Sequence, residues 1–210
     1  MTPSERESFK EQLRLMAAGR GDGIDLDSPE RWVVDGLRDP AAFFQHLHQL
    51  IPPDCILYFE ATNPAPEVVQ FYEANRAREN AVCVVRDTLF PVPEIFHVQM
   101  RTGLAEDFLN LLGKHPQPRC FTHVKAYRDA QLLFAFHDAF DGSPLLVSDR
   151  IPAERVQAFC ANTGATSRLE PNENKRDPEV LRRLLWAMEN PEKVKILWPW
   201  WKRALFFWKK

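Results

Sequence analysis

Three short apolar runs in the middle of the chain constrain its fold more than any other feature. Residues 120–127, 131–137 and 144–148 are rich in Val, Leu, Phe and Tyr. Polar turns separate them, Arg128-Asp129-Ala130 and then a segment ending Asp141-Gly142-Ser143. Parallel neighbours need crossovers of a dozen residues or more, so connections this short predict an antiparallel meander.

The rest of the chain is punctuated by proline. Proline suits the first position of a helix, where its missing N–H costs nothing, and a preceding Ser, Asp or Asn caps the free amides. Ser28-Pro29, Asp39-Pro40, Asp177-Pro178 and Asn190-Pro191 carry this signature. Helices are therefore expected at 4–18, just after Pro29, at 40–50, 66–76, 104–112, 153–161 and 178–189. Apolar runs between breakers predict further strands at 55–59, 81–85 and 94–100. Helices thus flank one mostly antiparallel sheet with a central meander at about 120–148, an α+β fold with a C-terminal helical tail. Of 210 residues, 45% are hydrophobic and 27% charged, which suits a packed core and excludes a disordered chain.

Charge is distributed unevenly. Residues 193–210 contain six basic side chains and no acid. Removing those six from the 27 basic residues leaves 21 against 29 acids, so residues 1–192 carry a formal −8. The expected organisation is one α+β domain over 1–192 with a basic, Trp-rich segment over 193–210 docked on it. Taken as a helix, that segment places Trp200, Trp201, Phe207 and Trp208 on one face, beside Trp198. Lys202 and Arg203 fall on the opposite face. Such a segment can close the chain's own core, form a homodimer or other protein contact, or lie on an anionic membrane surface. Its shortness and the acidic body argue against nucleic acid.

Cys55, Cys83, Cys120 and Cys160 are widely spaced. They offer no close pair for zinc and read as buried thiols of a reducing compartment. With no apolar run long enough to span a bilayer and no leader pattern at the start, the expected location is the cytoplasm.

Histidines carry the only hint of chemistry. His97, His123 and His137 each fall on an expected strand, and Asp138 and Asp141 follow the last of them. Imidazoles beside a carboxylate suit a metal centre or an acid–base pair. The pairing register decides whether they meet. With Arg128 opposite Gln131, His123 lies opposite Phe136 and His137 opposite Thr122, which puts the two imidazoles on opposite faces. A slip of one residue reverses this. There is no nucleophile elbow, and the glycines at 19, 21 and 23 lack the context of a phosphate loop. The acid spacing over 22–27 does not match a calcium loop.

No cofactor is indicated. The leading expectation is a non-enzymatic intracellular binding or interaction protein. The alternatives are a small metal-dependent enzyme using the sheet histidines, and a peripheral membrane protein acting through the tail.

Overall fold

In the computed structural model, residues 23–78, 82–88, 91–172, 186, 187 and 189 are described. All but the last three belong to one compact unit, Gly23–Glu173. The helix expected at 4–18, nearly all of the one at 178–189, and the tail with Trp198, Trp200, Trp201, Lys202, Arg203, Phe207 and Trp208 lie outside the described residues. Among those described, no helix is long and apolar enough to cross a membrane.

The unit is built on a seven-stranded sheet. Its strands are β1 (Glu30–Asp35), β2 (Ile56–Ala61), β3 (Glu94–Gln99), β4 (His123–Arg128), β5 (Gln131–Phe136), β6 (Leu145–Ser148) and β7 (Thr166–Pro171). In space they run β3-β2-β4-β5-β6-β1-β7, and every neighbouring pair is antiparallel. The meander is therefore β4-β5-β6, as the short turns require. Four helices accompany it: α1 (Pro40–Leu50), α2 (Pro66–Ala74), α3 (Leu104–Leu112) and α4 (Ala153–Thr163). The Asp39 carboxylate accepts from the Ala41 N–H at 2.8 Å, with Pro40 opening the helix. Gly164, in the left-handed region at φ 69°, closes α4.

Two sequence expectations fail here. The residues after Ser28-Pro29 form β1 and not a helix. Trp32, Val33 and Val34 favour a pleated environment, and β1 lies between β6 and β7, which satisfy its backbone on both sides. The Ser28 hydroxyl, free of capping duty, lies 3.4 Å from the Ser148 hydroxyl. The strand expected at 81–85 is reduced, among its described residues, to a single parallel bridge between Ile24 and Val84.

The sheet packs differently on its two faces. One face meets the helices through a large aromatic core that includes Phe43, Phe44, Phe59, Tyr72, Phe108 and Phe121. The rings of Phe44 and Phe108 meet edge to face at 4.5 Å. The other face carries Val33, Tyr58, Tyr127, Leu132, Ala135 and Leu146. Two irregular segments cover it, contributing Leu26 from one and Val84 from the other. They are tied together by Ile24 N–H to the Cys83 carbonyl and Val85 N–H to the Ile24 carbonyl, at 2.8 and 3.1 Å. A Cβ on Gly23 would fall 2.0 Å from the Cys83 carbonyl oxygen, so the approach needs glycine.

The β4-β5 hairpin settles the histidine register. Arg128 is opposite Gln131 and Tyr127 opposite Leu132, as the turn dictates. Ala126 is then opposite Phe134, which leaves Leu133 as an extra residue in a β-bulge. Beyond it the ladder continues one residue out of the simple register, with Val124 opposite Phe136. His123 and His137 follow directly on that pair and share the helix-free face.

Candidate functional site

Strand alternation places Tyr58 and Glu60 of β2, His97 of β3, and His123, Lys125 and Tyr127 of β4 on the helix-free face. The bulge adds His137. Facing them, the segment around Val85–Thr88 lies over the sheet and brings Asp87.

Glu60 is completely buried. Its carboxylate accepts from Tyr58 Oη at 2.9 Å, from the Asp87 N–H at 2.8 Å and from the Thr88 N–H at 2.9 Å. Lys125, also completely buried, donates to the Val85 carbonyl at 2.6 Å and to Asp87 Oδ2 at 2.7 Å. Its ammonium lies 5.7 Å from the centre of the Tyr58 ring. Asp87 Oδ2 also takes a hydrogen bond from His137 Nδ1 at 2.8 Å. Burial works to raise the Asp87 pKa, but the His137 hydrogen bond and the Lys125 charge overcome it and hold the carboxyl down at about 2.

His123 is nearly buried, and its ring centre lies 6.3 Å from that of His137. The Asp138 backbone N–H donates to His123 Nδ1 at 2.8 Å. A backbone amide can only donate, so Nδ1 presents a lone pair and the neutral ring carries its proton on Nε2. The Asp138 carboxylate is 3.8 Å from the same nitrogen and 62% exposed. At that distance it makes no hydrogen bond, so the backbone contact defines the ring.

The expected constellation is therefore partly assembled. His123 and His137 come together, but the carboxylate that joins them is Asp87 and not Asp138 or Asp141. Asp138 contributes its main chain, and Asp141 is an exposed turn residue. His97 stands elsewhere, with Nδ1 2.8 Å from the Tyr127 hydroxyl. Burial, and then the nearby Arg76 charge, push its pKa down. Nothing local marked Asp87, because it comes from an irregular segment about fifty residues before His137 in the chain. The signal that could have found it is the buried Lys125, which demands a carboxylate partner.

Asp87, His123 and His137 offer ligand atoms within 4.8 Å of one another, a grouping that could hold a metal ion. Two features of the donor set oppose this. A ligating histidine normally donates its second ring N–H to an acceptor, whereas His123 Nδ1 accepts a hydrogen bond from the Asp138 backbone N–H. The Lys125 ammonium also occupies the cation position beside the Asp87 carboxylate. What the cluster does chemically is clamp: Glu60 and Lys125 together fix Val85, Asp87 and Thr88 to the sheet.

At the opposite end of the same strands a groove of about 850 Å³ opens. Its floor includes Gln99 and Tyr127, and around it stand Arg76, Arg78, Arg101 and Arg128. Comparison of the chain with protein-family models, with curated proteins and with solved structures yields no match.

Proposed function

We propose that this is a non-enzymatic, intracellular binding protein whose ligand occupies the groove on the helix-free face of the sheet. The observation that carries this reading is the use of the polar cluster. Glu60, Lys125 and the Nδ1 atoms of His123 and His137 are all bonded within the protein, to main-chain groups and to the side chains of Tyr58 and Asp87. A catalytic base needs a lone pair directed at a substrate, within reach of the proton it takes. These groups are directed at the protein itself. The groove is of a size that holds a small molecule, and most of the residues lining it are polar or charged. All four cysteines are unbridged thiols, which suits a reducing compartment.

Native mass spectrometry tests the proposal. The full chain is mixed with a small-molecule cell extract and washed. The expected result is an adduct released with its mass unchanged, and absent from Gln99→Trp, whose indole fills the groove. Conversion of the ligand to a product, or an adduct indifferent to Gln99→Trp, overturns the reading.

A further inference from the structure

We infer that the groove takes a compact multivalent anion, a phosphate ester or a polycarboxylate. This inference rests on the binding role proposed above and names the chemistry of its ligand.

The arginines of the lining point that way. Among the described residues, four arginines and two acids, Asp54 and Asp129, line the groove. Glu73 and Asp107 pair with Arg76 and Arg101 just outside the lining, so what the groove presents is a set of exposed guanidinium groups and not a net positive charge. Arginine is the side chain best matched to phosphate and carboxylate, because its planar fork donates two parallel hydrogen bonds.

The arginines are also available. Arg78 makes no ion pair among the described residues. Arg76 pairs with Glu73 at 3.3 Å, Arg101 with Asp107 at 2.6 Å and Arg128 with Asp54 at 3.4 Å. These three side chains are 69, 46 and 47% exposed. Exposed pairs of this kind contribute little to stability, so for Arg76 and Arg128 exchanging the partner for a ligand costs little, whereas Arg101 is also held by Asn75 Oδ1 at 2.9 Å and the Thr102 carbonyl at 3.1 Å. A buried Arg–carboxylate pair would not be free to switch.

Beneath the groove Tyr127 is almost completely buried. Burial pushes the Tyr127 hydroxyl up to about 12, so it keeps its proton at neutral pH. Its partner His97 can accept that proton or donate to the phenol oxygen, according to its tautomer. An anion beside Arg76 would offset the charge that works against a protonated His97, so His97 becomes an internal reporter of occupancy.

The test is calorimetric titration of the full chain with pyrophosphate and, separately, with citrate, at low and at physiological salt. The same titrations are run on Arg78→Glu and Arg128→Glu. His97 is followed by NMR through a pH series with and without ligand. The expected result is saturable binding by one of the two probes, which separates phosphate from carboxylate as the ligand chemistry. Affinity falls at least about tenfold in each charge reversal, weakens with salt, and the His97 titration midpoint moves up. Absence of saturable binding to both probes, or equal affinity in the two variants, overturns the inference. A neutral adduct in the mass-spectrometric experiment, lost in Gln99→Trp, removes the anion and leaves the binding role standing. No adduct together with no titration removes both.

Discussion

Lys125 is the residue on which the helix-free face depends. A buried ammonium is tolerated only when paired and hydrogen-bonded, and Lys125 meets both conditions through Asp87 and the Val85 carbonyl. Lys125→Met leaves the Asp87 carboxylate buried with one partner fewer. Breaking a buried pair from one side costs about 3–5 kcal/mol, and chemical denaturation should show a loss of that order. The double variant Asp87→Asn/Lys125→Met should lose less than the sum of the single changes, because the two share one interaction. Asp87 also sets an acid limit. Its pKa falls from 3.8 in the unfolded chain to about 2 in the fold, so its stabilisation is present above pH 3.8 and disappears as pH falls through 2. The shift corresponds to about 2 kcal/mol. Stability measured between pH 2 and 5 should rise with pH, and Asp87→Asn should flatten that rise.

At the scale of elements, the irregular segments do as much as the strands. Segments 23–28 and 82–88 hold each other through the Ile24–Val84 bridge, at a contact that admits no side chain on Gly23. Gly23→Ala should separate them, so that the Ile24 and Val85 amides lose protection in hydrogen exchange while β4 and β5 keep theirs. The legibility of the sequence follows the same division. The meander, strands β2 and β3, and all four helices announce themselves through turn length, prolines at helix starts and apolar spacing, which are local signals. β7 does not, because Thr166–Pro171 is a largely exposed edge with no apolar alternation. What makes it a strand is its pairing with β1, across more than a hundred residues. β1 itself was hidden behind Ser28-Pro29, a local helix signal overruled by two neighbouring strands. The histidine pair fell between these cases. Its strands were legible, but its register turned on one bulged leucine, and no residue type in the hairpin marks where a bulge will fall.

Across the whole unit, one sheet face is devoted to stability and the other is shared between two tasks. The helix side is an aromatic core. On the other side the Glu60–Lys125–Asp87 clamp occupies one end of β2 and β4, and the arginine groove occupies the opposite end. Tyr58 lies between them, touching the clamp through Glu60 and the His97 ring at 5.3 Å. If the ends act separately, ligand stabilisation and clamp stabilisation should add, since distant sites without shared partners behave independently. A ligand at ~100 times its Kd stabilises the fold by about 2.7 kcal/mol. For a unit of this size that raises Tm by roughly 5–10 °C. Thermal scans with the better of the two anions should show this rise in the wild-type chain and at most about half of it in Arg78→Glu. Lys125→Met should start from a lower Tm and still rise by a similar amount. A rise reduced in Lys125→Met as well would mean that the clamp and the groove form one cooperative site. Val82 of the covering segment already lines the groove, so the coupling would then run through 82–88.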